Sequence, residues 1–270
     1  MEALQNTLSA LQGVEKTMLI TLASRAKESR GKKPLFRDWM AEKIYDEAAP
    51  FIKEEANPRS VMGTIIRAKA FDECLIPFIE EHPEAICINL GCGLDTRFFR
   101  LDNGTIEWYD LDRPAVMTLR DQLIPTHERV TSLYDDLFCE DWIKKVQKDG
   151  KTVCILFEGV LQFFTEDEVK KVLALLAENF PGAYVLTDLL SSQILNNPKL
   201  MAKLTNNASP FHWGVEDGHD VEGLDPRYHL VRDINLADRM GLKKKWMHLM
   251  GKIPKIRRMS SHVCLYKIGE

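Results

Sequence analysis

The sequence predicts an α/β fold: a doubly wound, mostly parallel sheet with helices on both faces. From residue 86 onward, short apolar runs alternate with amphipathic helical segments, the rhythm of a parallel sheet with right-handed crossovers. The first run, Ile86 to Leu90, leads straight into a glycine turn, Gly91-Cys92-Gly93. Two strand-like segments close the chain and bring the count to seven.

The first 82 residues read as a helical extension. Thr17 to Ala23 is apolar and is followed by charge-rich Ser24 to Lys33. After Pro34, the apolar residues Leu35, Trp39, Met40 and Ile44 fall near helical spacing. Val61-Met62, Ile65-Ile66, Phe71, Leu75-Ile76 and Ile79 continue that pattern into a helix ending before Pro83. The expected parallel strands are Ile86–Leu90, Ile106–Asp110, Val130–Tyr134, Val153–Phe157 and Ala183–Thr187. Helices are expected over Pro114–Gln122, Asp141–Gln147 and Thr165–Asn179. The last opens on Thr165-Glu166-Asp167-Glu168, a capped start with acid in its first turn. Residues 190–234 lose all periodicity, as a lid or substrate insertion would. A short helix from Asn235 to Met240 stops at Gly241, and Lys243–Met250 and His262–Ile268 read as the closing strands. The expectation is one domain over 1–270, its core formed by 83–189 and 235–270.

Composition excludes several classes. The 45% hydrophobic and 28% charged content is that of a globular protein, not a disordered one. The net charge of −4 argues against a nucleic-acid partner, which needs a surplus of cations. The basic stretches Lys243-Lys244-Lys245 and Lys252 to Arg258 read as solvated faces. Six cysteines show neither a C-x-x-C pair nor zinc spacing, so no metal is expected, and Cys87 and Cys154 read as small core residues. No leader opens the chain and no apolar run reaches the ~20 residues that span a bilayer. A cytoplasmic protein without membrane contact is the expectation, as monomer or homodimer.

In such a sheet a ligand binds beyond the carboxyl ends of the strands, where the winding reverses. Gly91 and Gly93 would let the backbone approach it closely. Asp110 and Asp112 follow Gly91 by 19 and 21 residues, where a carboxylate can reach a ribose diol. Asp112, just before Arg113-Pro114, is also placed to cap the next helix. A dinucleotide loop wants a third glycine where Thr96 stands, and Asp95 would repel a pyrophosphate. A cofactor carrying a sulfonium and an amino-acid group tolerates that acid, so these residues favour S-adenosyl-L-methionine over NAD.

ICINLGCGLDTRFFRL, IEWYDLDRPAV, YDDLFCEDW and ILFEGVLQFFTEDEV, in this order and at these spacings, resemble the leucine carboxyl methyltransferase family. They lie nearer its bacterial polyketide carboxyl O-methyltransferase branch, the tetracenomycin-pathway type, and the likeness runs from about residue 15 onward. The resemblance implies a Rossmann-like class I methyltransferase fold, S-adenosyl-L-methionine as cofactor and S-adenosyl-L-homocysteine as product. It further implies that Arg67 pairs with the cofactor's carboxylate and that Gly91 and Gly93 line its methionine portion. Asp112, with Asp110 as second choice, would hold the ribose; Asp136 and Leu137 would read the adenine; Glu158 would lie near the amino-acid end. The family's E-G-x-x-x-Y pattern has Gln162-Phe163 here, so the aromatic ring survives without its hydroxyl. Asn89 stands where methyltransferases often carry an acid.

The expected reaction is methyl transfer to an oxygen, most simply a carboxylate of a small molecule, which needs no general base. A hydroxylated acceptor would need one, a histidine or a carboxylate near the methyl group, and His212, in Pro210-Phe211-His212-Trp213-Gly214, is the histidine candidate. Phe163, Phe211 and Trp213 would line an apolar substrate pocket. The alternatives are a protein C-terminal carboxylate as acceptor, a non-catalytic adenosylmethionine-binding protein, or an NAD-dependent oxidoreductase.

Overall fold

A computed structural model describes residues 4, 6–8, 15, 17–51, 58–205, 211–243 and 247–269. Its seven strands are β1 (Ile86–Leu90), β2 (Glu107–Asp112), β3 (Val130–Tyr134), β4 (Val153–Phe157), β5 (Tyr184–Leu189), β6 (Tyr228–Asn235) and β7 (His262–Ile268). They lie in the order β3-β2-β1-β4-β5-β7-β6. The first five are parallel, and β7 enters antiparallel between β5 and β6. The winding direction therefore reverses between β1 and β4, and both point their carboxyl ends at one crevice.

Central strands buried on both faces read as nearly continuous apolar runs, and the fully buried β1 and β4 do so with Asn89 the one polar residue, paired to Asp110. On one face Ile88, Phe157 and Trp142 pack with Val169, Leu173 and Leu176 of the Glu166–Asn179 helix. That helix starts as its sequence predicts, with a capping box between Thr165 and Glu168. On the other face Cys87, Trp108 and Cys154 meet Phe71, Leu75 and Phe78 of the Pro58–Glu81 helix. The six cysteines are free thiols, and burial pushes Cys87 up to about 12. A third cluster joins Leu19, Leu22 and Ala26 of the Thr17–Ser29 helix to Met40 and Ile44. It also takes in Leu94 and, from the Pro114–Leu123 helix, Val116 and Leu119. The helical extension is thus packed on the crevice end of the sheet.

The sixth strand differs from its expectation. Of the segment expected as Lys243–Met250, residues 244–246 lie outside the described residues, and Met247–Gly251 is helical. The strand that fills this place is Tyr228–Asn235, which but for Asn235 lies within the range expected of the insertion. It is the edge strand, paired only with β7, and a bulge between Leu230 and Arg232 breaks its period. With one side facing solvent, HLVRD needs no apolar alternation to hold its place. Among the described residues, no helix is long and apolar enough to cross a membrane.

Candidate functional site

A cavity of about 450 Å³ opens at the carboxyl ends of β1, β2 and β4, within the range of small-molecule sites. Of the predicted residues, Arg67, Gly91, Gly93, Asp112, Asp136, Leu137, Glu158, Phe163 and Phe211 line it. Asp110, His212 and Trp213 do not.

The glycine turn is built by hydrogen bonds. Gly91 N and Cys92 N both donate to the Leu111 carbonyl at 2.8 and 3.0 Å, which curls the chain over the end of β2. Gly91 takes φ +67°, and a Cβ there would lie 2.7 Å from Val160 Cγ2. Gly93 N donates to Asp112 Oδ2 at 2.9 Å, and Arg113 N donates to Asp112 Oδ1 at 2.8 Å. Asp112 therefore braces the turn instead of capping the helix, whose start at Arg113 carries no side-chain cap. Burial raises its pKa, against the pull of these two N–H groups.

Asp110 is a different kind of residue. It is fully buried, accepting from Arg120 at 2.5 Å, Asn89 at 3.1 Å and the Trp108 indole at 3.0 Å. Arg120 in turn donates to the carbonyls of Gly93 and Asp95. Asp110 is an anchor beneath the loop, out of reach of a ligand. Asn89 takes part in this anchoring, with Nδ2 also 3.4 Å from Asp95.

The Asp95-Thr96-Arg97 segment holds the rest of the turn in place. Thr96 is fully buried, and its hydroxyl donates to Asp38 at 2.7 Å. Asp38 also caps the Trp39–Ala48 helix, accepting from Ala41 N at 3.0 Å. The side chain of Arg97 has no exposed surface and bridges Asp72 at 3.0 Å, Asp95 at 2.5 Å and Glu158. Arg100 adds two bonds to Asp72 at 2.9 Å and one to Asp38 at 3.3 Å. Burial works against the charge of Asp95, but Arg97, Arg100, Arg25 and Arg120 outweigh it and hold its carboxyl well below the usual range. This corrects the repulsion argument from the sequence. Asp95 is neutralised, and the third-glycine position is closed because Thr96 is clipped to the helical extension.

Across the crevice, β4 ends in Glu158-Gly159, with Gly159 at φ +74°. Arg67 reaches over this turn, donating from Nε to Glu158 at 3.2 Å and from Nη1 to Asp188 at 3.1 Å. A Cβ on Gly159 would stand 3.0 Å from Arg67 Nη2, so the glycine makes room for the guanidinium. Asp188, at the end of β5, also accepts from Gly159 N at 2.6 Å. Burial disfavours the charge of Glu158, yet Arg97 and Arg67 keep its pKa low.

At the opposite rim, Asp136 is exposed and accepts from Phe138 N at 2.9 Å. The remaining wall is aromatic: Phe138 meets Phe164 with ring centroids 5.1 Å apart, and Phe163 meets Phe211 at 5.4 Å. His212 is exposed outside the cavity, held by its backbone N–H on the Gln162 carbonyl at 2.8 Å. Trp213 is 4% exposed and belongs to the core. Within Phe211-His212-Trp213, side chains alternate about a clamped backbone, so only the first faces the cavity. Sequence reasoning missed Asp38, Asp72, Arg25 and Arg120, and the lining residues Met18, Thr21 and Thr64. The hint was Asp38 at a helix start, though its loop-side partners Thr96 and Arg100 lie 58 and 62 residues away.

A seven-stranded sheet in this order, with a glycine turn and a strand-end aspartate facing one crevice, defines a class I methyltransferase. A Thermobifida fusca protein shares the fold with TM-score 0.61 and 15% identity over 97% of each chain. Magnesium protoporphyrin IX methyltransferase from Synechocystis PCC 6803, solved with bound S-adenosylhomocysteine, gives TM-score 0.51 and 12% identity, over 86% of this chain and 100% of that one. The leucine carboxyl methyltransferase family profile matches residues 18–177, and the chain belongs to that family. It is 28% identical to the tetracenomycin polyketide synthesis O-methyltransferase TcmP of Streptomyces glaucescens, over 92% of this chain and 94% of that one. An S-adenosyl-L-methionine-dependent methyltransferase of Gibberella zeae, dpfgK, is 29% identical over 78% of each.

Proposed function

We propose that this S-adenosyl-L-methionine-dependent methyltransferase transfers the methyl group to a carboxylate of a small, largely apolar acid. The observation that carries the reading is the cavity wall. Among its described lining residues stand four phenylalanines and no histidine, lysine or tyrosine, and its six carboxylates, Glu15, Asp95, Asp112, Asp135, Asp136 and Glu158, are each already held by a cation or a backbone N–H. A phenol or alcohol would need a base there, whereas a carboxylate is already ionised. The family's name, leucine carboxyl methyltransferase, supports a carboxyl acceptor, and the TcmP likeness supports transfer to an oxygen.

The cavity's residues fit the cofactor. Asp136, Asp112, the glycine turn and Glu158 follow β3, β2, β1 and β4, which are adjacent in the sheet. Three strand spacings make about 14 Å, enough for an extended nucleoside with an amino-acid tail. Asp112 would accept from the ribose hydroxyls, Asp136 and Leu137 would hold the adenine, and Gly91 and Gly93 would face the methionine portion. Arg67 would take the carboxylate through Nη2, which neither of its ion pairs uses. Glu158 would face the ammonium.

When bound, the cofactor supplies an electrophilic methyl on a sulfonium. The chain's part is alignment and exclusion of water. The phenylalanine wall lowers the polarity around the acceptor, which favours a reaction that turns a cation and an anion into neutral products. The test is turnover of aromatic carboxylic acids with cofactor labelled in its methyl group. The label should be released by mild alkali, as from an ester; an alkali-stable product would refute carboxyl transfer.

A further inference from the structure

Among the polar side chains of the site that this reading leaves unused, Gln162 carries a buried atom without a partner. Gln162 follows the Glu158-Gly159 turn and lines the cavity beside Phe163, Phe164 and Phe211, yet is 7% exposed. Among the described residues, nothing pairs with its Oε1, which is buried. Its backbone is fixed: the Gln162 carbonyl accepts from His212 N at 2.8 Å and Trp213 N at 3.4 Å. The segment that clamps it is itself held to the end of β5, through Val215 N on the Leu190 carbonyl at 2.8 Å. A buried amide oxygen without a partner is unfavourable, and native proteins rarely keep one without a use. The neighbouring rings offer it no donor. An acceptor-only oxygen repels a carboxylate and attracts an O–H or N–H. Among the described residues no side chain supplies that donor, and a ligand at the aromatic end of the cavity can.

We propose that Gln162 selects the methyl acceptor, its amide oxygen accepting a hydrogen bond from a hydroxyl on an aromatic acid whose carboxylate is methylated. This rests on the carboxyl-transfer reading for the reaction but not for the contact. A site built to pair a hydroxyl discriminates strongly against the analogue that lacks it, because the buried partner is then left bare.

The experiment measures binding to the S-adenosylhomocysteine-loaded protein, by calorimetry, for 2-naphthoic acid, 6-hydroxy-2-naphthoic acid, whose hydroxyl is too far from its own carboxylate to bond it, and 2-naphthol. Wild type should bind the hydroxy acid about 10- to 100-fold more tightly than 2-naphthoic acid. Gln162→Leu, close in volume and apolar, should erase that gap while S-adenosylhomocysteine affinity stays within error and Tm holds or rises, since the unpaired buried oxygen is gone. Gln162→Asn, which keeps the amide on a shorter arm, should retain part of the preference. In turnover, the gap should appear in KM more than in kcat. A gap that survives in Gln162→Leu overturns the proposal, as does equal weakening of both acids or no binding of any of the three. If the gap behaves as expected but the hydroxy acid yields an alkali-stable methyl ether, Gln162 keeps its role and the carboxyl reading fails.

Discussion

Arg97 is the residue on which the loop's electrostatics turn, and its removal can be worked through. Its guanidinium, without exposed surface, serves Asp72, Asp95 and Glu158 together. Arg97→Met would leave three buried carboxylates with one cation fewer. Breaking a buried pair costs about 3–5 kcal/mol. Here the losses are cushioned, because Asp72 keeps Arg100 at 2.9 Å, Glu158 keeps Arg67 at 3.2 Å and Asp95 keeps Arg100 at 3.8 Å. We therefore expect the lower end, about 3 kcal/mol, which corresponds to a Tm decrease of roughly 6–12 °C. The pH dependence adds a second reading. Asp95 and Glu158 have lowered folded pKa values, because their arginines, Arg97 foremost, outweigh the burial that opposes their charge. Their stabilisation is thus full above the unfolded carboxylate pKa of about 4 and is lost as pH falls through the folded value. Without Arg97 both folded values rise, so acid unfolding should begin at higher pH than in wild type. Thermal and acid unfolding by circular dichroism would measure both, with Lys144→Met as control, since Lys144 and its partner Asp141 are 71% and 66% exposed. An Arg97→Met protein as stable as that control, with an unmoved acid midpoint, would refute the network's role.

Asp112→Ala should weaken S-adenosylhomocysteine binding by about 10-fold or more in calorimetry, with a small loss of stability. Asp110→Ala should do the reverse, costing about 3–5 kcal/mol through the bared Arg120; a pure affinity loss there would reverse the assignment. Gly91→Ala should cost roughly 1–2 kcal/mol for the left-handed backbone alone, plus the clash with Val160. Adding Val160→Ala should recover only the second part, and complete recovery would argue against strain at φ +67°. His212→Ala should leave kcat and KM unchanged, since that side chain lies outside the cavity. A marked fall in kcat would reinstate it as a base.

What the sequence made legible follows from what was local. β1 and β4 are apolar because both faces are covered, so their ends, and with them Gly91, Gly93 and Glu158, could be placed by counting along a run. Asp110 and Asp112 could not be told apart in this way, because residues two apart share a face of the strand. Register separates them: Asp110 lies beside Asn89 and Ser132 inside the sheet, while Asp112 pairs with Tyr134 one step past the end of β1. β6 was hidden for the opposite reason, since an exposed edge with a bulge leaves no period to read. The Asp95-Thr96-Arg97 partners Asp72, Asp38 and Glu158 sit 25 to 61 positions away, on a helix, at a helix start and after β4, and meet the loop only in three dimensions. A deposit of arginine and aspartate on helical segments reads as solvated surface until that meeting is seen.

The same network explains why the extension belongs to the site. A dinucleotide turn relies on a third glycine so that its helix can press against the sheet and the phosphate can meet free N–H groups. Here that approach is taken by the chain itself. Thr96 donates to Asp38, Arg25 donates to the Leu94 carbonyl at 2.6 Å, and Met18, Thr21 and Thr64 form the near wall of the cavity. The turn is closed on its extension side by side chains and open only toward Asp112, Glu158 and the phenylalanines. Threonine at position 96 is therefore what this turn requires, because a hydroxyl at that point fastens the helical wall to the loop and a glycine there would release it.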